Sequence, residues 1–172
     1  MKTIMLLRHA KSSHDDSSLK DFDRPLAKRG RKDAPRMGRF INQVDVLPGH
    51  IVSSPAKRAQ QTTELLIESA ELSSSVISWN ENLYYGGGAR DYLTAIHNAP
   101  GDTDDILLVG HNPLLEETVS LLCNGEGSYT VRMPTAALVC IEHPAIEWEQ
   151  VKAGTARFQW MMIPKLLRKM HD

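Results

Sequence analysis

Ile4-Met5-Leu6-Leu7-Arg8-His9-Ala10 is the stretch from which the rest of the chain is read. An unbroken apolar run ends in an arginine, a histidine and a small residue. Such a run, short and bounded by polar residues, predicts a strand buried on both faces, as in a parallel sheet. In open α/β sheets ligands bind just beyond the carboxyl ends of these strands, which is where Arg8 and His9 stand. A guanidinium fork beside a potential nucleophile suits a phosphate group. Taken alone, Arg-His equally describes a strand that ends in a polar loop, so the weight falls on the other strand ends.

Asp105-Ile106-Leu107-Leu108-Val109-Gly110 is a second near-continuous apolar run, and it runs into His111-Asn112-Pro113. A helix is predicted after it through Leu115, Val119 and Leu122, ending near Gly125. His50 to Ser54 reads as a further short strand. Ser54-Pro55 then starts a helix, with Ser54 as N-cap and Pro55 at the first helical position. That places Arg58 in or just after the first turn, where backbone N–H groups and the helix dipole favour an anion. Val76 to Trp79 is a third strand candidate, with Glu81 in the loop that follows. Tyr92, Leu93 and Ile96 predict a short helix. Arg8, His9, Arg58 and His111 thus come from three strand ends that could converge on one edge of a sheet.

Elsewhere the reading is coarser. Lys11 to Arg24 is a polar loop. Ala34, Met37, Ile41 and Val44 repeat at helical spacing after Pro25, with a kink or late start expected at Gly30 and Pro35. Ala137 to Ile141 and Glu149 to Val151 read as later strands, with Ala156 to Met161 pairing partly antiparallel through a turn at Lys152-Ala153-Gly154. The tail from Ile163 closes the chain. Strand–helix alternation predicts an α/β fold: one domain over 1–172, a three-layer α/β/α sandwich with a mostly parallel sheet and no separate cap domain.

Composition sets bounds. The chain has 172 residues, enough for one full core, and 20 Lys and Arg against 21 Asp and Glu give a net charge of -1. That balance offers no global case for nucleic acid. No apolar run approaches a membrane span, and no signal-peptide pattern is expected at the N-terminus. Cys123 and Cys140 fall in apolar elements outside any CxxC, which predicts free thiols in a reducing cytoplasm, a single disulfide being the alternative. No HExxH or Cys/His cluster points to a metal, and no glycine pattern to a nucleotide cofactor. His14, His50, His97, His143 and His171 are read as having no role. Between residues 20 and 39 stand Lys20, Arg24, Lys28, Arg29, Arg31, Lys32, Arg36 and Arg39, against Asp21, Asp23 and Asp33. Most of these fit a solvated helix face, and a landing patch for an acidic partner is the sharper alternative.

The motifs Leu-Arg-His-Ala, Ser-Ser-Pro-Ala-Lys-Arg-Ala-Gln-Gln-Thr and Val-Gly-His-Asn-Pro together resemble the histidine phosphatase superfamily, with its phosphoglycerate mutase-like fold. Arg-His-Ala-Lys-Ser-Ser, Asp-Phe-Asp-Arg-Pro-Leu and Gly-His-Asn-Pro are similar to the short branch, the SixA-type phosphohistidine phosphatases. The match spans residues 4 to about 125, with Ala10 where the superfamily more often has Gly. The resemblance implies that His9 is the nucleophile and becomes a phosphohistidine. It implies that Arg8, Arg58 and His111 hold the phosphoryl oxygens, that Arg24 is an additional phosphate contact, and that Ser12 and Lys11 add loop contacts. Larger members carry a glutamate acid where Glu81 stands. Such a protein would be a cytoplasmic, metal-independent hydrolase without a cofactor. Its partner would be a phosphorylated protein, a histidine phosphotransfer domain being one candidate, with no nucleic acid and no membrane. Two alternatives stay open: a phosphatase of small phosphomonoesters on the same site, and a phosphate-binding module without catalysis.

Overall fold

The computed structural model describes residues 1–126 and 131–170; His171 lies outside the described residues. Strands β1 (Lys2–Arg8), β2 (His50–Ser53), β3 (Ile77–Trp79), β4 (Asp105–Gly110), β5 (Leu138–His143) and β6 (Arg157–Met162) form one sheet of order β3-β2-β4-β1-β5-β6. The pairs β1–β4, β2–β4 and β2–β3 are parallel, whereas β1–β5 and β5–β6 are antiparallel. The expected mostly parallel sheet is met loosely: the sheet is mixed, with three parallel pairs on the β3 side and two antiparallel pairs beyond β1, an arrangement common in large α/β sheets.

The first apolar run explains the layering. Successive side chains of a strand point to opposite faces. Ile4 and Leu6 join Ile106, Leu108 and Val139 against Tyr92, Ile96, Leu115 and Val119 on one face. Met5 and Leu7 join Leu107 and Val109 against Met37, Ile41, Leu66 and Leu167 on the other. The first face is covered by α4 (Ala89–His97) and α5 (Leu114–Asn124), the second by α1 (Lys28–Gln43), α2 (Lys57–Ser69) and α6 (Pro164–Met170). Each large apolar side chain fully buried in these faces contributes about 1.5–3 kcal/mol. A four-residue helix, α3 (Asn82–Tyr85), sits between β3 and α4.

Three local readings are corrected. The helix after Pro25 starts at Lys28 and runs unbroken through Gly30 and Pro35. Gly30 is there for packing, because a Cβ would collide with the Lys11 carbonyl, and burial of Ala34, Met37 and Ile41 outweighs the cost of Pro35. Residues Trp148–Gln150 form a 3-10 turn, so Glu149 to Val151 is not a strand. The Gln150 side chain accepts from the N–H groups of Ile146 and Glu147, which folds the segment on itself, and the buried Trp148 pins it by donating to the carbonyls of Pro100 and Thr103. Helix α2 begins at Lys57 with Ala56 as its cap, two residues later than Ser54-Pro55 suggests. The Ser54 hydroxyl instead accepts from the Ala56 N–H and meets His111. Cys123 is half-buried and Cys140 buried, and both are free thiols. Among the described residues no helix is long and apolar enough to cross a membrane.

Register places the site. Arg8 pairs with Gly110 across β1–β4, and Ser53 pairs with Val109 across β2–β4. His9, Ser54 and His111 therefore leave the sheet side by side.

Candidate active site

His9 follows β1, is 7% exposed, and its backbone N–H donates to the Gly110 carbonyl at 3.0 Å. Its Nδ1 lies 2.7 Å from the Ala10 carbonyl oxygen. A carbonyl only accepts, so Nδ1 carries the proton and Nε2 keeps its lone pair. That lone pair accepts from Arg58 Nε at 3.3 Å. Burial pushes His9 down to about 3, against the Ala10 hydrogen bond and together with the fields of His111, Arg58 and Arg8. The imidazole is neutral at neutral pH, as a nucleophile requires. Ala10 is not among the residues with positive φ, so alanine in place of the commoner glycine carries no strain. Its N–H donates to Thr62 Oγ1 at 3.0 Å, and that hydroxyl donates to the Arg58 carbonyl, tying the loop after His9 to α2.

His111 follows β4, with its ring centroid 5.2 Å from that of His9. Its backbone N–H donates to the Tyr92 hydroxyl at 3.1 Å. Gly110 is required beside it, because a Cβ there would collide with the Tyr92 hydroxyl. His111 Nε2 lies 2.8 Å from Ser54 Oγ, and Nδ1 is buried without a partner. Burial, then the Arg58 charge, holds His111 down to about 4. One ring nitrogen of the neutral His111 is thus tied to Ser54 and the other is left without a partner inside the site.

Arg58, the second residue of α2, is 6% exposed. Its Nη1 donates to the Asp21 carbonyl at 2.7 Å and its Nη2 to Asp21 Oδ2 at 3.0 Å. Arg8 Nη1 donates to the Met133 carbonyl at 2.9 Å, while Arg8 Nε is buried with no acceptor. Burial lowers the Arg8 pKa and Glu116 opposes the shift; a guanidinium keeps its charge regardless. The segment beyond α5 closes this side. Ala136, at φ 58°, donates to the carbonyls of Arg8 and His9, and Asn112 Nδ2 donates to Glu116 and to the Met133 carbonyl.

Asp21 is the hub that sequence reading missed. Its carboxylate accepts from the Tyr84 hydroxyl at 2.7 Å and pairs with both Arg58 and Arg24. The Tyr84 hydrogen bond and then the arginines hold it down to about 2, whereas burial and Asp21 push Tyr84 up to about 12. The Tyr84 ring stands 5.4 Å from His111 and 5.8 Å from the Arg58 guanidinium. Asp21 lies inside the Asp-Phe-Asp-Arg-Pro-Leu motif, which was the available signal; Tyr84, Ser54 and Tyr92 carried none.

The remaining candidates sit outside this cluster. Arg24 reaches it only through Asp21 and otherwise lies 2.8 Å from the His14 ring nitrogens. Ser12 is buried in a bridge with Leu26. Lys11 is exposed, its carbonyl accepting from Ala27. Glu81 is exposed one residue before α3, lines a separate cavity with His50, Ser78 and Trp79, and makes no hydrogen bond or ion pair with His9, Arg58 or His111. Among the described residues no group of His, Cys, Asp and Glu is arranged to hold a metal ion. Two guanidiniums and two neutral imidazoles, with Arg8 Nε and His111 Nδ1 buried without partners, gather around the free Nε2 lone pair of His9, a set of groups chemically suited to a tetrahedral oxyanion.

The chain is similar to several known proteins. A family described as the histidine phosphatase superfamily (branch 1) matches residues 4–81. The phosphohistidine phosphatase SixA of Escherichia coli strain K12 is 27% identical over 163 residues, covering 94% of this chain and 93% of that protein. An uncharacterized chloroplastic protein of Arabidopsis thaliana is 29% identical over 168 residues, covering 94% of this chain and 75% of that one. A solved structure of the protein histidine phosphatase SixA complexed with tungstate superposes with a TM-score of 0.78 at 26% identity, covering 96% of this chain and 99% of that one.

Proposed function

We propose that the chain, which is similar to the histidine phosphatase superfamily and to its short SixA-type branch, removes a phosphoryl group through a phosphohistidine on His9, with phosphohistidine in a protein as the substrate. The observation that carries this reading is the state of His9. The Ala10 carbonyl holds the Nδ1 proton, and a neutral Nε2 is turned to Arg58. In the first step Nε2 attacks phosphorus. The new P–N bond forms as the bond to the substrate imidazole breaks. A substrate ring protonated at its other nitrogen departs as neutral imidazole, so the step needs no acid from the protein. Glu81, the acid candidate, is dispensable on this reading. In the second step water attacks the phosphoryl-His9, dihydrogen phosphate leaves and neutral His9 is restored. Arg8, Arg58 and His111 hold the equatorial oxygens, and positioning plus charge supply most of the acceleration, with no metal or cofactor.

The tungstate in the SixA structure supports an oxyanion socket of this kind. A single-domain, uncapped build belongs to the reading, since α3 and α4 occupy the chain between β3 and β4. An open site gives a small ester little remote binding energy, whereas a protein surface supplies it over a broad contact. The free thiols fit a cytoplasmic setting. The test is rapid quench with a labelled phosphohistidine protein. The expected product is an acid-labile, alkali-stable phosphoryl-enzyme that is lost in His9→Ala. Normal turnover by His9→Ala would overturn the mechanism, and faster turnover of a sugar phosphate or nucleotide than of every phosphohistidine protein tried would overturn the substrate.

A further inference from the structure

The strongest cluster of charge outside the site lies where α1 meets α6. Lys28, Arg29, Lys32, Arg36 and Arg168 line one cavity of about 590 Å³. Arg29, Asp33 and Arg168 also line a neighbouring one with Pro134, Thr135 and Lys165. The one carboxylate here, Asp33, is 2% exposed and already committed to Arg168 at 2.7 Å, Arg36 at 3.0 Å and Arg29 at 3.7 Å. It leaves a cationic excess and holds three guanidiniums in fixed places, with Lys28, Lys32 and Lys165 exposed around them. The chain as a whole carries a net charge of -1, so this face is opposite in sign to the remainder of the protein.

The face is also on the catalytic edge. The Ala27 N–H, at the cap of α1, donates to the carbonyl of Lys11, two residues beyond His9, so the start of α1 is tied to the loop that carries His9. Register runs Leu7–Leu138–Met162 across β1, β5 and β6, so β6 delivers Ile163 and the start of α6 level with the end of β1. Between patch and site lies the 133–136 segment. Arg29 Nη2 meets Thr135 Oγ1 at 3.4 Å, Met133 holds Arg8, and Ala136 holds the Arg8 and His9 carbonyls.

We propose that this face docks an acidic protein surface flanking the phosphoryl group. The proposal rests on the phosphohistidine-protein reading above. Exposed charges of one sign beside a site raise the encounter rate of an oppositely charged partner, and the effect fades with salt.

The test uses the full chain and the variant Lys28→Glu/Lys32→Glu/Lys165→Glu, which leaves the Asp33 arginines untouched. The probes are an acidic protein phosphorylated on one histidine, the same protein with the flanking carboxylates replaced by amides, and phosphoramidate. The variant is expected to lose roughly 10- to 100-fold in kcat/KM on the acidic probe at low salt. It should lose its salt dependence and keep wild-type rates on the neutralised probe and on phosphoramidate. Equal losses on all three probes, or none, would overturn the docking surface. If the wild type hydrolyses phosphoramidate but neither phosphoprotein, the substrate reading fails. Titration of the unphosphorylated acidic protein then decides the surface separately: weaker binding to the variant upholds it and equal binding overturns it.

Discussion

Replacing Tyr92 by Phe removes one oxygen from the interior and tests whether His111 is held from behind. The Tyr92 side chain is fully buried. Its hydroxyl accepts from the His111 N–H at 3.1 Å and donates to the Leu83 carbonyl at 3.1 Å. Phenylalanine keeps the ring, its packing against Ile96 and Leu108, and the fit beside Gly110. What changes is hydrogen bonding. A buried group left unsatisfied costs about 1–3 kcal/mol, and an orphaned N–H is worse tolerated than a carbonyl that has lost one of two bonds. The His111 N–H therefore dominates, and the variant should be destabilised by about 2 kcal/mol. For a domain of this size that lowers Tm by roughly 4–8 °C. The His111 backbone also becomes free to drift towards another acceptor. Misplacement by a fraction of an ångström is expected to lower kcat on phosphoramidate by roughly tenfold, with KM changing less, because positioning errors near 1 Å cost about 10²-fold. Thermal denaturation and steady-state kinetics on the same preparation check both halves. Loss of Tm with unchanged kcat would reduce Tyr92 to a packing residue, and an unchanged Tm would refute the hydrogen-bond reasoning altogether.

Arg58→Ala removes the donor facing His9 Nε2 and leaves Asp21 held by Tyr84 and Arg24; turnover should fall by ~10²–10³, wild-type activity should survive EDTA, and vanadate should inhibit, whereas activity that vanishes with chelation and returns with metal would sink the idea that arginines supply the charge. The pH behaviour has a definite sign. His9 near 3 and His111 near 4 lie below the ordinary imidazole value of 6.5, so between those values the unfolded chain binds more protons than the folded one. Stability from these two groups is complete above pH 6.5 and is lost progressively as pH falls towards the folded values. Ring signals of both residues should stay flat from pH 7 to 5 in NMR titrations, and midpoints near 6.5 for either would contradict the buried, neutral site.

The features legible in the sequence are those whose cause is local. Ile4 to Leu7 and Ile106 to Val109 read as buried strands because each lies between two helical layers, and Arg8, His9 and His111 stand out because they interrupt such runs where strands end. Arg58 follows from the strand and proline before it, although α2 starts at Lys57 because the Ser54 hydroxyl serves Ala56 and His111. The misreadings have distant causes. Gly30 looks like a helix breaker until the Lys11 carbonyl is seen pressed against it. Glu149 to Val151 looks like a strand until Trp148 is seen reaching the carbonyls of Pro100 and Thr103. The site shows the same division more sharply. No local pattern says that Asp21 will grip Arg58 across 37 positions, or that Tyr84 will grip Asp21 across 63. An exposed aspartate and a tyrosine of the short helix α3 acquire their roles only when α3 folds back over the Asp21–Asp23 turn and Phe22 packs edge-on against Tyr84 at 5.0 Å. The groups proposed to meet the phosphoryl oxygens are thus announced by strand ends, whereas those that aim them are set by the packing of α3 against the Asp21–Asp23 turn, contacts that no short stretch of sequence encodes.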